Sequence, residues 1–231
     1  MTGAATRRIP TWAKVSYTAF VAVLVPCYWV TYTPWNFLYF CDIALLVTGV
    51  AIWIESPLLV SMQAVAITLP QILWVVDLLC RLVAGLHVTG VTNYMFDPSL
   101  PLFLRGLSLF HGWLPFVLLW LLSRLGYDRR ALSLQAPVAV IVLLISYLLA
   151  PAPPPPAPHP SWAVNINYVY GLDDKHPQTW MPPPLWLLVV MAFNVIGLCA
   201  PTHFVLRRAF NAPAPIPNTP PGSSGADRRG G

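Results

Sequence analysis

Charge is scarce in this 231-residue chain: Asp, Glu, Lys and Arg make up 9% of it against 57% apolar residues, and its mean hydropathy is +0.64. Soluble domains carry about 25% charged residues. This composition cannot furnish a water-facing surface, so a soluble globule is excluded and a lipid bilayer is the solvent. At roughly 20 apolar residues per crossing, the chain accommodates about six spans and leaves no room for a separate water-soluble catalytic domain.

Cysteine is scarce too. Cys27, Cys41, Cys80 and Cys199 lie in apolar stretches at wide, irregular spacing, which excludes a C-x-x-C metal pair and gives no sign of a disulfide framework. No metal site or cofactor is expected. The 13 Lys and Arg outnumber the 8 Asp and Glu for a net charge of +5, but they fall in ones to threes at the ends of apolar runs. A nucleic-acid binder gathers its cations on one soluble face, so no nucleic-acid partner is expected; these cations read as topology signals. No internal repeat is visible.

What is present is a succession of apolar runs. They predict an all-α polytopic membrane protein, a bundle of about six transmembrane helices over 15–32, 37–54, 57–82, 101–123, 134–150 and 184–206. The first run follows Arg7, Arg8 and Lys14 but has no small-x-small cleavage site, and Pro26 precedes Cys27 where a lipobox needs a small residue. It is read as a retained helix. Pro70 sits mid-way in the long third run, which is read as one kinked helix, with a broken or re-entrant segment as the alternative.

With residues 1–14 cytoplasmic, Arg7, Arg8, Lys14, Arg124, Arg129, Arg130, Arg207 and Arg208 all lie inside, and Lys175 is the one cation in an outer loop. This positive-inside bias places the chain in the cell inner (plasma) membrane with both termini cytoplasmic. The Pro-rich outer loop 151–183 opens with ten residues expected to run as a stiff polyproline spacer on the order of 30 Å long. The tail 209–231, rich in Pro, Gly and Ser, is expected to be disordered.

Ionisable residues inside spans carry the most information, because each costs about 2.5–3.5 kcal/mol at a helix centre. Asp42 lies in the second predicted span, Asp77 and Arg81 in the third, Arg105 and His111 in the fourth, and His203 in the sixth. His203, four residues before Arg207, reads as an inner-interface structural residue. The others fall in the outer half, with Cys41 and Asp42 about 6–8 Å below the outer end and His111 roughly 15 Å deep at 1.5 Å per residue. That shared leaflet is the best hint of a site.

Asp77 and Arg81 have i, i+4 spacing, which suits a self-neutralising pair. Alternatively Arg81, with Arg105, holds an anionic head group. His111 shares a face with Ser108 and Gly112 and is either an interhelical hydrogen-bonding residue or a proton-exchanging group. Cys41 is either a small hydrophobe or a thiol nucleophile activated by an imidazole. Asn165, Asn167, Tyr168 and Tyr170, with Asn93 and Tyr94, either line a polar mouth over this cluster or belong to an aromatic belt.

The order of features, with Leu38, Tyr39, Phe40, Cys41 and Asp42 opening the second span, Phe110, His111 and Gly112 in the fourth, and Asn167, Tyr168 and Tyr170 before the last, resembles the YwaF-like bacterial integral membrane proteins. Those are distantly similar to transmembrane phospholipid acyltransferases, and the chain looks loosely similar to the androgen-induced membrane hydrolases of fatty-acid esters. The resemblance covers about residues 12–208. It implies a Cys nucleophile and a His, here Cys41 and His111. The proline insertion after Ala150 and the Asp directly after Cys41 depart from that pattern.

Two functions are therefore carried forward. One is a lipid acyl-transfer or ester-hydrolysis enzyme: Cys41 attacks, His111 carries the proton, Arg81 or Arg105 orients the lipid phosphate, and Asn165 and Asn167 stabilise an oxyanion. The other is a non-catalytic binding, transport or scaffold protein using Asp77, Arg81 and His111. Membrane lipids are the expected partners in the first, and another membrane subunit is a possible one in the second.

Overall fold

The computed structural model describes residues 9–210. Among them every regular element is helical. Five helical runs are long and apolar enough to cross a membrane, Thr11–Tyr32, Pro57–Ala84, Leu102–Leu125, Ala131–Leu149 and Pro183–Ala209, and a shorter apolar helix covers Phe40–Ile54. The chain is an all-α, multi-pass membrane bundle.

Helix α1 (Thr11–Tyr32) follows Pro10, whose carbonyl takes the first free amides at Ala13 and Lys14. It begins before Lys14, so residues 11–14, expected in the cytoplasmic N-terminus, are its first turn. Its buried residues, Lys14, Tyr17, Leu24 and Tyr28, recur at helical spacing and form one narrow stripe. The other faces carry Trp12, Val23, Trp29 and Val30 outward, as suits a helix solvated by lipid.

Helix α2 (Phe40–Ile54) returns antiparallel to α1 after a 3₁₀ turn at Pro34–Leu38. Fifteen residues make a helix of about 22 Å, shorter than the roughly 30 Å hydrocarbon layer. Its far end nevertheless reaches the start of α1. The Lys14 ammonium donates to Glu55 at 2.7 Å, Trp53 Nε1 donates to Thr18 Oγ1 at 2.9 Å, and the Tyr17 hydroxyl donates to the Leu45 carbonyl at 2.8 Å.

Glu55 stops α2 in the left-handed region at φ 52°, and Ser56 caps α3 (Pro57–Ala84) by accepting from the Leu59 amide. α3 is the axle of the bundle and packs on α2 and on all the later long helices. Pro70 is accommodated within one unbroken helix, so the broken or re-entrant alternative is excluded. Gly85, at φ 66°, ends it.

The fourth predicted span is interrupted. α4 (Leu102–Leu107) and α5 (Phe110–Leu125) are joined through Ser108 and Leu109 by i to i−3 bonds from Leu109, His111 and Gly112. α5 ends at Gly126 (φ 82°), and Ser61 of α3 accepts the Asp128 amide at 2.9 Å, fixing the turn into α6 (Ala131–Leu149). The last run is α7 (Pro183–Ala192), a π-helical segment Phe193–Cys199, and α8 (Ala200–Ala209). The predicted tail thus includes one helical residue, Ala209; its sequence beyond 210 lies outside the described residues.

The proline segment is not an extended spacer. The Asn165 amide donates to the Pro151 carbonyl at 3.0 Å, Ala163 N–H to the Tyr32 carbonyl at 2.9 Å, and Ser161 to the Thr31 carbonyl at 3.2 Å. The loop folds back onto the end of α1, because Trp162, Ala163 and Val164 gain more by packing there than by standing in water. A cleft of about 200 Å³ remains between it and Trp35.

Lys14→Met is expected to lower the apparent unfolding midpoint in detergent. Breaking one side of this largely enclosed pair costs about 1–3 kcal/mol, and Lys14→Met with Glu55→Gln should recover part of it. Equal midpoints for wild type and the single variant would show that the pair does not hold α1 to α2.

Candidate functional site

All the site residues predicted from the sequence lie at one end of the bundle, the Asp77 end, where α1 and α3 finish and α2 and α4 start. At the opposite end His203 is buried and its Nδ1 lies 2.6 Å from the Tyr127 hydroxyl, a structural tie between α8 and the α5–α6 turn.

Asp77 does not pair with Arg81. Its Oδ1 accepts the amides of Val88, Thr89 and Gly90 at 3.0, 2.7 and 3.2 Å, and its Oδ2 accepts the amide and hydroxyl of Thr92 at 3.1 and 2.6 Å. Main-chain donors from the following loop have displaced the i+4 guanidinium. A carboxylate accepts several amides at little conformational cost, whereas a long Arg side chain must be ordered to pair. Arg81 instead donates to Asn93 Oδ1 and stacks over Phe96, 4.0 Å from its centroid.

That loop delivers an aromatic group. Two residues after Thr92, Tyr94 accepts a hydrogen bond from Trp74 Nε1 at 3.2 Å, and Trp74 stacks on His111 with centroids 5.1 Å apart and 21° between planes. Asp77, the 88–92 turn, Tyr94, Trp74 and His111 thus form one connected chain. Asp77 positions the 88–92 turn there, its two oxygens taking up five hydrogen bonds. Burial pushes the Tyr94 hydroxyl well above its ordinary range, so it stays protonated.

His111 sits at the interrupted start of α5. At the break the Ser108 carbonyl accepts the His111 amide at 3.2 Å, and the imidazole Nδ1 lies 2.8 Å from the same oxygen. A carbonyl oxygen only accepts, so Nδ1 carries the proton and Nε2 presents a lone pair in the neutral ring. Nε2 has no hydrogen bond among the described residues. The Ser108 hydroxyl donates to the Leu104 carbonyl at 3.2 Å and pairs with the Tyr28 hydroxyl at 2.7 Å, which ties α1 to the break.

Cys41 and Asp42 open α2. The thiol donates to Asp42 Oδ2 at 3.5 Å, and Asn36 Nδ2 donates to the same oxygen at 3.3 Å; Asp42 Oδ1 is buried without a partner. No hydrogen bond joins Cys41 to His111. They share an end of the bundle, but the proton of the thiol is turned toward the carboxylate and not toward the imidazole.

The side-chain amides of Asn165 and Asn167 are engaged by backbone and side-chain partners around the loop. Asn165 Nδ2 donates to the Gly171 and Asp173 carbonyls and to Asp174, while its Oδ1 accepts the Tyr170 amide. Burial pushes the Asp174 carboxyl up, and the Asn165 bond opposes that. Asn167 Oδ1 caps the Phe40 amide at 3.1 Å, and its Nδ2 reaches the Leu38 carbonyl at 2.8 Å. Tyr168 is 40% exposed, its carbonyl accepting from Trp186 Nε1 at 2.9 Å. Arg105 donates one N–H to the Met95 carbonyl at 3.1 Å while its Nε is buried without a partner, and Arg81 spends one N–H on Asn93, so both predicted phosphate ligands keep further donors.

Trp74, Tyr28 and Asn36 were not singled out in the sequence. Their signal was weak: Trp74 stands one helical turn before Asp77, and Tyr28 looks like any belt aromatic. Among the described residues no group of three or more His, Cys, Asp or Glu side chains could hold a metal ion.

These features define a class, a multi-pass all-α membrane protein with a polar cluster at one end. No family model, curated protein or solved structure matches the chain.

Asp77→Asn is expected to free the 88–92 turn, because an amide nitrogen cannot accept from Thr92. The cost should be on the order of 1–3 kcal/mol, and hydrogen exchange at 88–92 should rise while exchange in α6 stays as it was. Unchanged exchange at 88–92 would remove Asp77 from this role.

Proposed function

We propose that this is an inner-membrane protein crossing six times, with both termini cytoplasmic, that binds a membrane-resident ligand in the outer leaflet through the His111 cluster. Six crossings count α2, whose ends meet those of α1. The orientation rests on cation placement: Lys14, Arg124, Arg129, Arg130, Arg207 and Arg208 mark one end, against Arg81, Arg105 and Lys175 at the Asp77 end.

The observation that carries the binding reading is His111 itself. Its tautomer is set by Ser108, its ring is held on Trp74, and its Nε2 is left without a partner in a half-buried position. Preorganised, unspent polar capacity in hydrocarbon is costly unless something uses it.

The second reading is lipid acyl transfer or ester hydrolysis, in keeping with the YwaF-like resemblance. A base with a free Nε2 in the same leaflet as Cys41 favours it, and the commitment of the thiol to Asp42 counts against it. Catalysis needs Cys41 to swing toward His111 when substrate binds.

Thiol alkylation separates the two. In folded, detergent-solubilised protein, Cys41 is expected to react no faster than Cys27, at a rate unaffected by His111→Ala. Rapid labelling at Cys41, or acyl transfer to it from an activity-based probe, abolished by His111→Ala, would replace the binding reading with the enzymatic one.

A further inference from the structure

At the end of the bundle opposite Asp77, the described residues carry six cations, Lys14, Arg124, Arg129, Arg130, Arg207 and Arg208, and two carboxylates, Glu55 and Asp128. Both carboxylates are taken, Glu55 by Lys14 at 2.7 Å and Asp128 by Arg130 at 2.9 Å. Arg124, Arg129, Arg207 and Arg208 are exposed and enter no ion pair among the described residues. Like charges gathered at a membrane boundary repel one another, and an anion among them relieves that repulsion.

These four arginines come from two parts of the chain that one hydrogen bond holds together. Arg124 lies in the last turn of α5 and Arg129 in the connection to α6, on either side of Tyr127; Arg207 and Arg208 lie in the last turn of α8, one turn beyond His203. The Tyr127 hydroxyl lies 2.6 Å from His203 Nδ1 and the two ring centroids are 5.6 Å apart, so the two pairs of guanidiniums flank the same buried contact. Burial pushes the Tyr127 hydroxyl up, Asp128 adds to that, and the charge of Arg207 opposes it from across the tie.

Two of the guanidiniums also lie back toward the apolar layer. Arg124 sits over the Trp120 ring, 5.5 Å from its centroid, and Arg207 over Phe204 at 5.9 Å, each ring belonging to the preceding turn of its own helix. Phe204 and Val205 are 51% and 64% exposed, as suits a face in contact with acyl chains. A cation over a ring uses no N–H donor on that contact, so the planar fork remains for phosphate oxygens. A lipid phosphate reaches these groups at ring level, with its chains along Phe204 and Val205, where a partner approaching from water does not.

We propose that the α5–α6 turn and the end of α8 form one site for the headgroup of an anionic phospholipid, which bridges Arg124 and Arg129 on one side to Arg207 and Arg208 on the other. A zwitterionic lipid brings an ammonium into the same field and binds more weakly. The site lies at the far end of the bundle from His111 and does not rest on the binding reading there.

The test is amide hydrogen exchange on the full chain in dioleoylphosphatidylcholine nanodiscs. The discs are left plain, doped with dioleoylphosphatidylglycerol or dioleoylphosphatidylethanolamine, or left plain with glycerol 3-phosphate in solution. Phosphatidylglycerol should slow exchange at 126–131 and at 203–209 by about fivefold or more, with 88–92 at the opposite end unchanged; the other additions should do neither. Arg129→Gln should remove most of the slowing at 203–209 as well as at 126–131, because a bridging headgroup protects both.

Equal slowing by phosphatidylethanolamine overturns the selection for negative charge. Equal slowing by glycerol 3-phosphate makes the ligand a soluble phosphate and removes the lipid from the proposal. Slowing that spreads equally to 88–92 is a general effect of the bilayer and overturns the site, as does no slowing at all. Slowing at 203–209 that survives Arg129→Gln in full shows two separate surfaces and overturns the bridge. The lipid comparison is read on wild type, so the conclusion does not depend on a variant that fails to fold.

Discussion

In hydrocarbon a backbone amide, carbonyl or side-chain polar group has no water to turn to, and each one left alone costs several kcal/mol. This constraint explains why α3 organises so much of the molecule. It is the most enclosed of the long helices, and polar side chains near its two ends hold the connections of its neighbours. Ser56 starts it and Ser61 takes the Asp128 amide at one end; Trp74 and Asp77 gather the 88–94 loop at the other. A loop at a membrane boundary is secured most effectively from a well-packed helix, and α3 is the most buried of the long helices, although Leu79, Leu82 and Val83 at its Asp77 end face outward.

The same constraint decided which parts were legible in the sequence. Runs of about 20 apolar residues can only be helices in lipid, so the spans and fold class followed from composition and length. Three of their ends moved by one to four residues because Pro10, Pro183 and Gly85 set them, not the apolar pattern. The gathering of Asp42, Asp77, Arg81, Arg105 and His111 at one end was equally legible, since depth follows from residue count.

Partners were not legible. Spacing alone favoured Asp77 with Arg81 as a pair, but a carboxylate facing a run of turning amides has better partners than a flexible guanidinium, and those amides lie 11 to 15 residues downstream. The interruption at Ser108 left no trace in the apolar pattern either, yet it brings the Ser108 carbonyl to both the amide and the imidazole of His111 and so sets the ring's tautomer. The proline run illustrates the opposite limit: its stiffness is a local property, while its direction is set by the contacts of Trp162 to Val164 with the end of α1.

The loop before the last span makes the most costly use of the backbone. Asn165, Asn167 and Tyr168 all stand in the left-handed region, at φ 50°, 57° and 62°, on the order of 1–3 kcal/mol each for such residues. The arrangement persists because it is over-determined. Asn167 caps the first amide of α2 from 127 residues away and takes the Leu38 carbonyl as well, Tyr39 donates to the Val164 carbonyl, and Asn165 ties off its own turn. An orphan helix-start amide in the apolar layer is thereby satisfied without water. Cys41 is the next residue after the capped Phe40, so its backbone is pinned by this loop on one side and by α2 on the other. The backbone of His111 is likewise held by the Ser108 turn and its ring by Trp74. Any approach of the thiol to the imidazole therefore has to come from rotation of the Cys41 side chain away from Asp42, or from Trp74 releasing the ring, and not from helices sliding together. A ligand that reaches Nε2 from the bilayer needs neither movement, which is why the geometry at rest fits a binding site better than a nucleophile and its base.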